Sequence, residues 1–258
     1  MRAHCPQRGA MSSVKAATDG DDYWPLTKLL ARHQKLREEG ESRKPAVLLT
    51  TGAMNPVHLG HVDMFFRARR CLEQDHDYCV LAGYISPSNE GYVRPKCEHF
   101  KQLYLESDVR LECVRRAVQE SDWLACGAWE AAPEQGKGGS WPDYPVVVRA
   151  LQSHLSTGPD GLRDLRLGGH KCTVFYVCGL DHFQKCYLSS GLRPHRDLPD
   201  ASTIEPRAGV IAIPRDDAPP ARSELKRLVS SINDAFTART ARVPLKPMLT
   251  GTELGDCR

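Results

Sequence analysis

Apolar positions in this chain fall into two patterns. Between Trp24 and Glu39, the residues Leu26, Leu29, Leu30 and Leu36 recur at helical spacing and Gly40 stops the run, which predicts a first helix. Beyond it, short β-rich runs alternate with longer helical segments. The runs are AVLLTT (46–51), YCVLAGYI (78–85), WLACGAW (123–129), TVFYVCG (173–179) and GVIAIP (209–214). The clearest helical segments are Gly60–Glu73, Asp108–Glu120, Tyr144–Leu155, Asp181–Ser189 and Arg222–Phe236. The strand runs are continuously apolar, as strands of a parallel sheet covered on both faces must be. Repeated β-then-α units predict an α/β fold with an open, doubly wound, mostly parallel sheet. Ligands of such sheets sit beyond the carboxyl ends of the strands, at the switch point, so the residues just after each strand are the place to look.

Composition narrows the function classes. The chain has 258 residues, 41% hydrophobic and 26% charged, enough to bury a sizeable core. Thirty-five Lys+Arg against 32 Asp+Glu leave a formal charge of +3, too weak a basic balance to predict a nucleic-acid or membrane partner. No apolar run approaches the roughly 20 residues that span a bilayer. Residues 1–22 are polar and aperiodic and read as a flexible lead-in with no secretory signal. Ten cysteines without a C-x-x-C pair read as reduced thiols of an intracellular protein, cytoplasmic or nuclear. Residues 23–258 then form one domain.

Chemistry concentrates after the first strand run, in Thr51-Gly52-Ala53-Met54-Asn55-Pro56-Val57-His58-Leu59-Gly60-His61. A buried strand runs into a glycine turn, then Asn-Pro, then His-x-Gly-His opening a helix. Gly52 permits close approach of backbone to a ligand, and the amides of the turn and the helix N-terminus form an anion site. His58 and His61 are three apart, share a helix face and can donate together to one phosphate. No Ser or Cys beside them suggests a nucleophile–base pair, so stabilising phosphate charge is the better role. The plainer alternative is a glycine turn with two capping or solvated histidines. A zinc site lacks a visible third ligand.

At these residues the chain resembles the H-x-G-H nucleotidyltransferases, whose usual motif is G-x-F-x-P-[HT]-x-x-H, with Met54 in place of the Phe. Further segments resemble nicotinamide/nicotinate mononucleotide adenylyltransferases. Gly83-Tyr84-Ile85-Ser86-Pro87 through Gly91-Tyr92-Val93-Arg94 is similar to "G-I-I-S-P…Y-x-K". Trp129-Glu130, Trp141 and Val147–Leu151 are similar to "W-E…W…V-L", and Val177-Cys178-Gly179-Leu180-Asp181 to "L-C-G-A-D". Ile211-Ala212-Ile213-Pro214-Arg215 is similar to "I-C-V-x-R". All five segments occur in the family's order over about residues 46–215.

The resemblance implies a Rossmann-like fold and adenylyl transfer from ATP to nicotinamide or nicotinate mononucleotide, giving NAD or its deamido form and pyrophosphate. It implies His61 as the main catalytic donor, His58 beside the ATP phosphates, and the Gly52, Ala53 and Met54 backbone along the nucleotides. Arg94 replaces a lysine expected at the mononucleotide phosphate, Trp141 would stack on the pyridine ring, and Tyr144 stands where a Thr is usual. Gly179 permits close approach, Asp181 accepts from ribose hydroxyls, and Arg215 joins the substrate-binding set. Mg²⁺ would ride on the ATP phosphates, with no metal held by the protein itself. His99, His170 and His182 have no evident partners, Trp129 reads as a core residue within a strand, and a homo-oligomer is left open.

Three departures accompany the match. The family's second phosphate motif, I-S-S-T-x-x-R at the start of a late helix, is not found. Ala221–Arg227 is a poor substitute, a last short strand is expected at Val243–Leu249, and Arg258 falls about where the motif should begin. The expectation is of a truncated product, or of a diverged relative that has lost this ATP clamp. No aromatic follows near Gly191–Arg193, and Cys97–Ser107 reads as an insertion after a Tyr92–Arg94 loop. The alternatives in view are another H-x-G-H transferase and a non-catalytic, chaperone-like nucleotide-binding protein.

Overall fold

Two helical layers enclose a sheet whose strands alternate their side chains between separate apolar clusters. The computed structural model describes residues 23–157, 165–186, 188, 209–213 and 248–250. The lead-in at 1–22, Arg215 and the segment Arg222–Phe236 lie outside the described residues, as do Gly191–Arg193 and Ala221–Arg227.

Strand β1 (Lys44–Gly52) is followed by helix α2 (Leu59–Asp75) and β2 (Tyr78–Pro87), after the first helix α1 (Thr27–Glu38). Helices α3 (Glu90–His99) and α4 (Ser107–Ala117) lead to the short β3 (Leu124–Cys126). A 3₁₀ turn at Pro133–Gly139 precedes α5 (Tyr144–Thr157). The small hairpin β4 (Arg166–Leu167) and β5 (His170–Lys171) leads to β6 (Thr173–Gly179), α6 (Leu180–Lys185), β7 (Gly209–Ile213) and β8 (Met248–Thr250). The main sheet runs β3-β2-β1-β6-β7-β8, parallel except for β8, which pairs antiparallel with β7. The expected fold class is the observed one. The strand expected at Val243–Leu249 overlaps β8 at its end.

Strand periodicity assigns the faces. Val47 and Leu49 of β1, with Val174, Tyr176 and Cys178 of β6, join the cluster that holds Trp24 and Leu29 from the α1 side and Val147, Val148 and Leu151 from α5. Ala46 and Leu48, with Phe175 and Val177, join the opposite cluster with Phe65 and Leu72 of α2 and Val114 of α4. A bulge between Ala46 and Val47 leaves Leu81 as an extra residue in β2, so Leu81 and Ala82 both enter the first cluster. Gly40, at φ +74°, ends α1: the Glu41 amide reaches the Leu36 carbonyl and the Gly40 amide that of Arg37, a Schellman closure.

Gly83 is a packing requirement on the second face. A Cβ there would lie 2.6 Å from Phe65 and 2.7 Å from Leu124. Gly83→Ala is expected to cost about 1–3 kcal/mol by overpacking. Thermal unfolding followed by circular dichroism should show a Tm several degrees lower, and an unchanged Tm would mean that Phe65 yields without strain.

One expectation on this stretch is corrected. Tyr92–Arg94 lies inside α3 and not in a loop, although Pro95 sits within that helix. The Asn89 side chain caps it by accepting from the Gly91 amide, which starts the helix in spite of two poor helix formers. Cys97–Ser107 comprises the end of α3, a connecting loop and the first residue of α4. No helix among the described residues is long and apolar enough to cross a membrane.

Candidate active site

The chain leaves β1 toward β2 on one side and later returns to β6 on the other, so the switch point lies between the carboxyl ends of β1 and β6. Gly52 ends β1, and its carbonyl accepts from the Ser88 amide at 2.8 Å, tying the ends of β1 and β2 together. The turn Ala53–Val57 follows, with Met54 at φ +46° and a cis bond between Asn55 and Pro56. Met54 turns its side chain into the core. The Asn55 amide donates to the Leu103 carbonyl and its oxygen accepts from the Leu105 amide.

His58 is the N-cap of α2 and His61 its third residue, and together they form a reciprocal capping box. The Gly60 amide donates to His58 Nδ1 at 3.2 Å, and the His58 amide donates to His61 Nδ1 at 3.2 Å. The rings stack with centroids 3.8 Å apart. An accepting Nδ1 requires the tautomer protonated on Nε2, the nitrogen that would donate to a phosphate. The two readings offered for these histidines, cap and phosphate donor, are therefore compatible: capping uses one nitrogen and orients the other.

Beside this turn, the ends of β2 and β3 bury a polar cluster that the sequence pattern did not single out. Glu130 is 3% exposed, and burial pushes its carboxyl up to about 8. The Ser86 hydroxyl donates to Glu130 Oε2 at 3.1 Å, and the Ser88 hydroxyl also hydrogen-bonds this carboxyl. Asn89 Nδ2 donates to the Glu130 and Ala132 carbonyls. Arg110 is fully buried and donates to the carbonyls of Ala53 and Ser88. One signal was readable: Arg110 shares an i, i+3, i+4, i+7 stripe with Cys113, Val114 and Ala117, a charge on the apolar face of α4.

The other predicted residues among the described ones lie on α3, before and at the start of α5, and at the β6–α6 junction. Gly179 is the N-cap of α6, and a Cβ there would lie 2.5 Å from the Asp181 carboxylate and push that side chain aside. Trp141 is 45% exposed, its ring 6.0 Å from that of Tyr92 on α3. Arg94, on the exposed face of α3, pairs with Glu90 at 2.7 Å and lies over the Tyr104 ring. Tyr144 is 7% exposed and stacks on Tyr176 beneath the switch point. Trp129 packs against the core as expected, although in a turn, since β3 ends at Cys126.

His182, expected to lack partners, has several: Tyr176 Oη at 3.3 Å, the edge of the Tyr144 ring, and Cys186 Sγ. Tyr176 Oη also lies 3.3 Å from Thr51 Oγ1, and burial holds His182 below its ordinary pKa. His99 meets Phe100 edge-on, and His170 is exposed on β5. Among the described residues, no group of three or more His, Cys, Asp or Glu is arranged to hold a metal ion.

An open parallel sheet covered on both faces, with His-x-Gly-His opening a helix at its switch point, defines the Rossmann-like nucleotidyltransferase fold. The chain belongs to the cytidylyltransferase-like family, whose profile matches residues 49–190, more than half its length. It is 30% identical over 194 residues to the nicotinamide/nicotinic acid mononucleotide adenylyltransferase of Oryza sativa subsp. japonica, covering 75% of this chain and 66% of that protein. With the Arabidopsis thaliana protein of the same name it shares 35% over 141 residues, or 55% of this chain and 51% of the relative. It is also 38% identical over 84 residues to nicotinamide/nicotinic acid mononucleotide adenylyltransferase 2 of Xenopus tropicalis, 33% of this chain and 25% of that one. The matches thus span from a quarter to about two-thirds of these relatives' lengths.

Proposed function

We propose that the protein transfers the adenylyl group of ATP to the phosphate of nicotinamide or nicotinate mononucleotide, releasing pyrophosphate. The observation that carries this reading is the stacked His58–His61 cap at the N-terminus of α2, placed at the sheet's switch point. The names of the relatives supply the acceptor. An acceptor phosphate oxygen attacks the α-phosphorus in line, its new P–O bond forming as the bond to the bridging oxygen breaks, and the electron pair leaves with pyrophosphate. No protein nucleophile is needed, because positioning and charge stabilisation suffice.

In this reading, the turn amides and the Nε2–H groups of His58 and His61 hold the ATP phosphates, and Mg²⁺ arrives with ATP as part of the substrate. Gly179 and Asp181 stand where a ribose would lie after β6. Trp141, exposed beside α3, offers an aromatic face to a cationic pyridine ring. Arg94 would reach a mononucleotide phosphate by exchanging Glu90 for it. Arg215, by resemblance to the family, would join the substrate-binding residues. Tyr144, buried against Tyr176, would act by shaping the floor under the β1–β6 crevice.

A panel of acceptors, read out as pyrophosphate release from ATP and from CTP, tests the proposal. A pyridine mononucleotide should be the preferred acceptor and ATP the preferred donor. A preference for phosphopantetheine or choline phosphate would overturn the acceptor assignment, and binding of mononucleotide without ATP would overturn the reaction.

A further inference from the structure

Four neutral acceptors surround the buried Arg110 guanidinium. Nη1 donates to the Ala53 carbonyl at 2.9 Å and the Ser88 carbonyl at 2.8 Å. Nε donates to the Leu105 carbonyl at 3.0 Å, and Nη2 to Ser107 Oγ at 2.9 Å. These acceptors lie on the turn after β1, the end of β2 before α3, the loop after α3, and the start of α4. One planar fork thus joins four chain segments, at the point where the strand–turn–helix departs from the sheet.

We infer that Arg110 is a positioning residue for the phosphate turn, holding Ala53 against the end of β2 and so setting where the His58–His61 pair stands at the sheet edge. Asn55 reinforces the arrangement, since its side chain bridges the Leu103 carbonyl and the Leu105 amide on the loop that Arg110 also holds. Between the Ala53 carbonyl and His58 lie only four residues, and the His58 and His61 rings are locked to the helix start. A displacement of Ala53 is therefore passed on to both imidazoles. A structural role alone would not require a guanidinium: the stripe of α4 could pack an aliphatic side chain beside Cys113 and Val114. What an aliphatic group cannot do is satisfy three buried carbonyls.

Arg110→Lys tests this, because one ammonium cannot serve acceptors placed around a planar fork. The inference rests on the proposed reaction only for its kinetic arm. Expected are a kcat lower by about 100-fold with KM for ATP changed far less, the mark of misplacement at the reacting centre. The second arm is independent of activity: imidazole NMR signals of His58 and His61 should move, while the indole signals of Trp24 and Trp123 stay in place. Unmoved imidazole signals overturn the inference, and so does a shift of the indoles as large as that of the imidazoles. If Arg110→Lys fails to fold, Ser107→Ala removes one acceptor only and should move the same imidazole signals by less; no shift there overturns the inference equally. A wild-type chain without adenylyl transfer counts against the proposed reaction and leaves the NMR arm to decide on Arg110.

Discussion

His61→Ala is expected to lower pyrophosphate release by about 10²–10³-fold or more while the protein stays folded. Removing a donor aimed at developing charge on a phosphoryl oxygen costs about 3–4 kcal/mol of transition-state stabilisation. The structural loss is smaller. His61 Nδ1 accepts from the His58 amide at the start of α2, and loss of a cap costs about 0.5–2 kcal/mol. The two effects separate with a second substitution, His61→Glu. Glutamate at the third helical position is the usual partner in a capping box, so it can accept from the His58 amide and restore helix stability. It cannot donate to a phosphate and adds a repelling charge. Steady-state kinetics beside thermal melts should find His61→Glu stable and inactive. Substantial activity in either variant would remove His61 from the chemistry.

Glu130→Gln is expected to make the protein's stability less dependent on pH and to stabilise it under alkaline conditions. In the folded state burial keeps the Glu130 carboxyl protonated up to about pH 8, whereas the unfolded chain releases that proton near the ordinary value of 4.5. Between those limits the folded state binds more protons than the unfolded one, so stability falls as pH rises. The favourable contribution is fully present below pH 4.5 and lost by about pH 8. At about 1.4 kcal/mol for each pH unit, the whole interval amounts to a few kcal/mol and at most about 5. Glutamine keeps the shape and the contacts with Ser86 and Ser88 without titrating. Urea unfolding at pH 5 and pH 8 should show the variant close to wild type at the lower pH and more stable at the higher. Parallel profiles for the two proteins would mean that Glu130 stays charged when folded.

Glu130 belongs to a larger construction. The carboxyl ends of β1, β2 and β3 converge on a buried polar layer in which Ser86, Ser88, Asn89, Arg110 and Glu130 hold each other and the main chain. That layer fixes the ends of three strands and one turn. Polar groups so deeply buried are costly unless each is satisfied, and a satisfied network has few alternative arrangements. The same feature that makes this edge sensitive to substitution keeps the turn after β1 in place.

The sequence by itself determined the layers and the strand–turn–helix that stands at the switch point. Continuously apolar runs separated by helical spacing can be buried only as a covered parallel sheet, and residues 46–51, 173–179 and 209–213 appear as strands for that reason. The helix start at His58 and His61 was legible because its signals are local: a glycine turn, an Asn-Pro step and a helix start are consecutive in the chain. Tertiary structure alone decided the rest. Asn89 overrode Pro95 and Gly91 to begin α3, since its amide is held by carbonyls of residues 130 and 132, some forty positions away. Tyr176 brought Thr51 and His182 together across two neighbouring strands, giving that histidine partners which no local pattern announces. Arg110 lies 57 residues from Ala53 and 22 from Ser88, so its role depends on the sheet having formed. Periodicity records which side of an element is buried. Which buried polar groups then meet is fixed by the pairing of distant strands, and a one-dimensional pattern does not carry that.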